Sequence, residues 1–380
     1  MNHRERVLCT LNHKEPDRVP ICIGGSGQKF SRRIYNAVKK KLGINEKFEY
    51  EDRYEEFGNI VNYNPQLLDY FNVDFRYIHI NRIPLEYNAI DDSWEHELGF
   101  RLKYIGDNET RNIVFFPLRN ADFEEIKKYR FPDSYDKRRV VGLKEKAKFL
   151  HENTDYAIVS YKASMAGIFD LACIMRGYDN FFMDLMADKR LANLLLDKIL
   201  EFNYGVYELF LREVGNYVDI VEFNDDLGTQ QNLMISPALY REFFKERHKI
   251  LIEMFRKYAP KANIFLHSCG SVYDIIPDFI EIGIDILNPI QPLASKMDSF
   301  KLKKEFGKYI CFQGGIDIQK AIKGTIEDLK NEIKLRIKTL APGGGYIMST
   351  ANNILGDVPL ENIFKLYEFA KLYGIYPIKV

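Results

Sequence analysis

NIFLHSCGSVYDIIPDFIEIGIDILNPI, residues 263–290, reads as a buried strand, a helix and a second buried strand. NIFLHS near Asn263 and DILNPI near Asp285 are short, continuous apolar runs, the pattern of strands covered on both faces. A helical pattern from Val272 to Gly283 lies between them. The same unit recurs outward in both directions. Further runs are VPICIG near Val19, FRYIHI near Phe75, YAIVSY near Tyr156, VDIVEF near Val218, YICFQG near Tyr309 and GYIMST near Gly345. Helical patterns from Asn180 to Val206, Pro237 to Tyr258 and Thr325 to Leu340 separate several of them. Strand–helix alternation repeated eight times predicts an α/β fold of the (β/α)8 TIM-barrel type, with a doubly wound open sheet as the other arrangement. A helix from Arg4 to Leu11 forms an N-terminal extension. RLKYIGDNETRNIVFFPL predicts a β-hairpin inserted after the second strand, over residues 100–118. A single domain spanning residues 1–380 is expected.

The chain has 380 residues, 46% hydrophobic and 28% charged, which suffices for one large core. Lys plus Arg and Asp plus Glu both number 54, so no charge excess points to nucleic acid. No apolar run is long enough to span a bilayer, and MNHRERVLCT lacks the core of a signal peptide. The expected location is cytoplasmic, without membrane association. The five cysteines are scattered and odd in number, which argues against a disulfide framework.

In such a barrel, chemistry gathers at the C-terminal ends of the strands. Those ends carry Gly24 and Gly25, His79, Lys162, Asn224 to Asp226, His267 and Cys269, Asn288 and Gln291, Gln313, and Thr350 with Asn352 and Asn353. His267 and Cys269 stand at i and i+2 of one strand, so they project from the same side and can reach one point. An imidazole and a thiolate there make half of a tetrahedral zinc site. A zinc-free active-site pair, or a buried Cys beside a hydrogen-bonded His, are the other readings. Asp225 and Asp226 fit either a pocket or a capped turn before Gly228. Glu222 lies within its strand, where an unpaired carboxylate is costly, so it is either paired with a base or a ligand. Gln313 faces substrate or stabilises its loop, and Asn352 with Asn353 also suits a turn. Cys173 and Cys311 read as core, and His79 and Trp94 as packing near the hairpin.

Four stretches carry a resemblance over essentially the whole chain: MNHRERVLCTLNHKEPDRVPI, FDLACIMRGYDNFFMDL, ICFQGGIDIQKAI and GGGYIMSTANNILGDVPLENI. Together they resemble the uroporphyrinogen decarboxylase superfamily. That resemblance implies a (β/α)8 barrel and one of two enzyme types. One decarboxylates uroporphyrinogen III without a cofactor. The other moves methyl groups between corrinoid proteins and thiols such as coenzyme M, using zinc. The decarboxylases carry an arginine-rich segment after the first strand; here it reads CIGGSGQKFSRR, with glycines in those places. A substrate with eight carboxylates needs cationic partners. Asn352 stands where the decarboxylases have a His, and Cys173 where they have a Tyr.

The His-x-Cys-Gly pattern of the methyltransferases is matched by His267, Cys269 and Gly270, but their third ligand, a Cys, falls at Asn352. A replacement ligand from Glu222, Asp225, Cys311 or Cys22 is open. The chain is similar to the methylcobalamin:coenzyme M methyltransferases more than to the decarboxylases. The resemblance implies zinc on His267 and Cys269, with Glu222, Asp225 and Asn352 as catalytic candidates. Asp226, Asn288, Gln313 and Asn353 are substrate-binding candidates. The implied partners are a corrinoid protein carrying methylcobalamin and a small-molecule methyl acceptor. The alternatives are decarboxylation of a tetrapyrrole, with Asp74 as the aspartate that stabilises pyrrole protonation, and a non-catalytic corrinoid or tetrapyrrole binder.

Overall fold

A computed structural model describes residues 1–46, 62–106 and 111–380. Eleven strands follow in chain order: β1 (Phe75–Ile78), β2 (Glu86–Asn88), β3 (Ser93–Glu95), β4 (Arg101–Tyr104), β5 (Arg111–Phe115), β6 (Ala157–Ser160), β7 (Ile220–Asn224), β8 (Asn263–His267), β9 (Ile286–Ile290), β10 (Cys311–Ile316) and β11 (Tyr346–Thr350). Seven of them form one parallel sheet in the order β1-β6-β7-β8-β9-β10-β11. These are the apolar runs of the sequence, buried on both faces and alternating with helices.

The first apolar run does not become a regular strand, yet it closes the sheet. Ile21 bridges Met348 of β11 in parallel. Met348 N–H donates to Pro20 O at 2.9 Å, and Cys22 N–H to Met348 O at 3.0 Å. On the other side Asp74 N–H, just before β1, donates to Ile21 O at 3.0 Å. The ladder stops there for two reasons. Pro20 has no N–H to give, and the Ile21 N–H goes to the Asp74 carboxylate at 2.7 Å. Residues 20–22 thus occupy the eighth position of a TIM-barrel-like α/β fold.

Asp74 is fully buried at this seam and fixes it. Its carboxylate accepts from Arg6, Arg18 and His3 at 2.7–2.9 Å. Despite burial, the hydrogen bond from His3 and the charge of Arg18 hold its pKa below the ordinary carboxylate value. Arg6 and His3 come from the N-terminal helix His3–Leu11. The seam lies at the N-terminal ends of the strands, opposite the candidate site.

β2 to β5 form a separate antiparallel sheet in the order β2-β3-β4-β5. β4 and β5 are the predicted hairpin; residues 107–110 of its turn lie outside the described residues. β2 and β3, from residues 86–95, had no clear period and were missed. The helical pattern 180–206 divides into Tyr178–Ala187 and Lys189–Val214, because the Asp188 side chain caps the second helix at Leu191 N–H. The pattern 237–258 divides at Phe244. Among the described residues, no helix is long and apolar enough to cross a membrane.

Candidate functional site

β7 ends in Asn224 and runs on through Asp225 and Asp226, while β8 ends in His267 and turns through Ser268 to Cys269. The Asp225 N–H donates to His267 O at 2.9 Å, so the ladder extends one residue past the strand. Strand alternation then throws Asp226 to one side and Asp225 to the other. Asp226 meets His267 and Cys269. His267 Nε2 lies 3.7 Å from Asp226 Oδ1 and 3.4 Å from Cys269 Sγ, and all three donor atoms lie within 4.8 Å of one another. Zinc bonds of about 2.0–2.3 Å place tetrahedral ligands about 3.3–3.8 Å apart, and His267 Nε2 stands at that spacing from both Cys269 Sγ and Asp226 Oδ1.

The electrostatics point the same way. Burial pushes the Cys269 thiol well above its ordinary pKa, and the Asp226 and Asp170 carboxylates push it further; the Asn352 amide pulls in the opposite direction. Burial likewise raises Asp170, with Asp226 and Asp225 adding to it. Burial lowers the His267 pKa, which favours the neutral, metal-binding imidazole. The Cys269 thiol and the Asp226 and Asp170 carboxylates thus disfavour one another's charged forms, an effect that a bound cation would reverse.

Each donor is oriented from behind. His267 Nδ1 is 2.6 Å from Asn288 Oδ1, which directs Nε2 at the cluster. Asn288 is fully buried and donates its amide to Gln313 O at 3.2 Å. The Cys269 N–H donates to Asp226 Oδ1 at 2.8 Å. Asn352 Nδ2 donates to Cys269 Sγ at 3.5 Å, while its Oδ1 accepts the Asn353 N–H at 2.7 Å. Gly27 covers the His267 ring at φ +69°, where a Cβ would sit 2.6 Å from His267 Cε1, so only glycine fits there.

The cluster opens into a cavity of about 440 Å³. Its wall includes Ser26, Gly27, Lys29, Lys162, Asp170, Tyr178, Asn224, Asn352 and Asn353. Arg111, Asn112 and Ile113 of β5 also line it, so the inserted sheet forms part of the mouth. Asn224 Oδ1 is buried there without a hydrogen-bond partner. The Lys29 ammonium lies 5.1 Å over the Tyr161 ring, and Lys162 Nζ donates to Met165 O at 3.0 Å.

The candidates from sequence separate into distinct positions. His267, Cys269, Asp226, Asn352 and Asn353 converge on the cavity. Asn288 stands behind His267 instead of facing the cavity. Asp225 is turned away: it is fully buried and accepts from Phe169 N–H, Asp170 N–H and His248 Nε2 at 2.8–2.9 Å. It clamps the first turn of the helix Ile168–Arg176 and does not reach the cluster. Gln313 is buried in the barrel, donating to Gln28 Oε1 at 3.1 Å and Cys22 Sγ at 3.4 Å. Glu222 lies inside the barrel, bonded to Ser26. Cys22 bonds Tyr77 OH at 3.0 Å, and Cys311 lies at the opposite end against Thr10, Leu11 and His13. None of the four replacement ligands joins the cluster; Asp226 does. Asp74, at the seam, is far from the cavity mouth in fold terms, and its carboxylate is consumed by ion pairs.

Ser26, Lys29, Asp170 and Tyr178 were missed. Asp170 had a signal, a carboxylate within the apolar helix FDLACIMR. Ser26 and Lys29 had none, since their loop crosses the cavity only in the folded barrel.

A TIM-barrel-like fold with a three-donor cluster and a polar cavity at its C-terminal rim defines the class. The chain belongs to the uroporphyrinogen decarboxylase (URO-D) family, whose model matches residues 96–373. A uroporphyrinogen decarboxylase from Chlorobium phaeobacteroides is 24% identical over 189 residues, 48% of this chain and 50% of that protein. One from Rickettsia africae is 28% identical over 137 residues, 35% of this chain and 37% of that protein. The chain thus spans half or less of the length of these curated relatives. A methyltransferase from Methanosarcina mazei shares the fold at a TM-score of 0.66 and 16% identity, over 98% of this chain and 99% of that one.

Proposed function

We propose that this chain is a methyltransferase that moves a methyl group between a corrinoid, carried as methylcobalamin on a partner protein, and a thiol or other small acceptor. The observation that carries the reading is the convergence of Asp226, His267 and Cys269 on one point at the cavity wall. Zinc bound there would lower the pKa of an acceptor thiol at its open position and so supply the nucleophile. The chain's own groups do the rest. Asn288 holds His267 with Nε2 toward the cluster. Asn352 donates to the Cys269 sulfur, which favours its thiolate. Asp170 and Asn224 line the acceptor cavity, and Arg111 to Ile113 narrow its mouth.

Decarboxylation of a tetrapyrrole is the second reading. It is favoured by the names of the curated relatives and by Lys29, Lys162 and Arg111 at the cavity. Those three cations of the described lining are few for eight carboxylates, and Asp74 is not at the cavity.

The test is zinc content by elemental analysis, with methyl transfer from methylcobalamin to a panel of thiols followed by the corrinoid spectrum. About one zinc per folded chain is expected, lost in Cys269→Ser together with transfer. Full transfer by Cys269→Ser, or no metal in the wild type after zinc is supplied, would overturn the proposal.

A further inference from the structure

Glu222 is a carboxylate inside the barrel, one row below Asn224 and one layer beneath the cavity. Its Oε1 accepts the Ser26 N–H at 3.0 Å and the Ser26 hydroxyl as well. Ser26 lines the cavity, whereas Glu222 does not. The loop is built to make this contact. A Cβ on Gly25 would meet Tyr77 OH at 2.8 Å and Gln28 Oε1 at 2.9 Å, so the loop packs closely against the groups around the carboxylate. With its proton on Glu222, the Ser26 oxygen has lone pairs left for a donor in the cavity.

We propose that Ser26 and Glu222 form a proton relay that takes the proton of the acceptor's S–H at the cavity wall and holds it inside the barrel. The inference rests on the thiol-transfer reading above. In the step the S–H bond breaks and its electron pair stays on sulfur. The proton passes to Ser26 Oγ, whose own proton moves to Glu222 Oε1, leaving a thiolate and a neutral carboxyl. No oxidant or further reactant is needed.

The surroundings suit a neutral-range acceptor. Burial raises the Glu222 pKa to about 7, while the Ser26 bonds and the Lys29 and Lys162 charges pull it down. Cys22 and Tyr77 face it as uncharged groups, with their own ionisation pushed up by burial. Tyr207 OH bonds the Glu222 carbonyl at 3.4 Å. A carboxylate that served only to anchor the loop would be replaced by Gln without loss, since a Gln oxygen accepts both Ser26 bonds but cannot take a proton. Glu222 acts through Ser26 and is a positioning residue; Ser26 is the group at the cavity wall.

The test is infrared difference spectroscopy of the full chain on adding 2-mercaptoethanol at about pH 8, where a carboxyl of pKa near 7 starts mainly ionised. The wild type is expected to gain the carbonyl band of a protonated carboxyl. That band is absent in Glu222→Gln, reduced at least tenfold in Ser26→Ala and restored in Ser26→Thr. No band in the wild type, an unchanged band in Glu222→Gln, or loss of the band in Asp170→Asn with its retention in Glu222→Gln overturns the relay. The band without zinc in the protein supports the relay and removes the metal reading. Zinc and methyl transfer without the band remove the relay and leave the function.

Discussion

Replacing Asn288 with Ala separates the zinc reading from a merely structural His267–Cys269 pair. Asn288 makes two buried bonds, one orienting His267 at 2.6 Å and one from its amide to Gln313 O at 3.2 Å. Its loss frees the ring to change tautomer. Removing such an outer partner costs about 10–100-fold in metal affinity, which is about 1.4–2.7 kcal/mol. A second cost falls on the apoprotein, because His267 Nδ1 and Gln313 O are left buried and unpaired, at about 1–3 kcal/mol each. The two are separable. Urea unfolding with a chelator present measures the apoprotein cost. Repeating it at fixed free zinc measures the stabilisation by binding, which grows as the logarithm of zinc over Kd. The zinc-dependent gain in Asn288→Ala should fall short of the wild-type gain by about 1.4–2.7 kcal/mol. A chromophoric chelator competition gives the Kd directly. Equal zinc affinity in the folded variant and the wild type would refute the argument that Asn288 holds a metal-binding His267.

Asp225→Asn should lower stability by about 1–3 kcal/mol, because it weakens the clamp on Phe169 N–H, Asp170 N–H and His248. Zinc content per folded chain should not change; a loss of zinc in chelator titration would return Asp225 to the site. Asp74→Asn should destabilise the chain by about 3–5 kcal/mol at neutral pH, since it leaves Arg6 and Arg18 charged and buried. The folded pKa of Asp74 is depressed, so its contribution is complete above the unfolded value of about 3.9 and is lost as pH falls through the folded value. The gap between variant and wild type in denaturant midpoint should therefore narrow on acidification below about pH 4. A folded, stable Asp74→Asn that has lost activity would instead make Asp74 catalytic.

The seven regular strands were legible because each is a run of apolar residues flanked by turns, and burial on both faces requires that pattern. The two short strands 86–88 and 93–95 were not legible. Each has only three residues, at most one of them buried, which leaves no period to read. In the site, His267 and Cys269 were legible because their i, i+2 spacing is a local geometric fact. The same parity rule also contained Asp226: Glu222, Asn224 and Asp226 alternate to one side, and Asp225 to the other.

By itself, then, the sequence determined the barrel and two of the three donors of the cluster, since both follow from periodicities of the extended chain. Only the tertiary structure decided which carboxylate completes the cluster. That choice needed proof that the β7 ladder runs on past Asn224, and it needed His248, on a helix distant in sequence, to occupy Asp225. It also decided that Asn352 serves the Cys269 sulfur as a donor, its oxygen being already taken by Asn353. Lastly it set Ser26 over Glu222, residues 196 positions apart, where closure of the barrel brings the first segment beside the rest. Contacts of that range leave no trace in local spacing, because they are fixed by how strands close on one another and not by how each one runs.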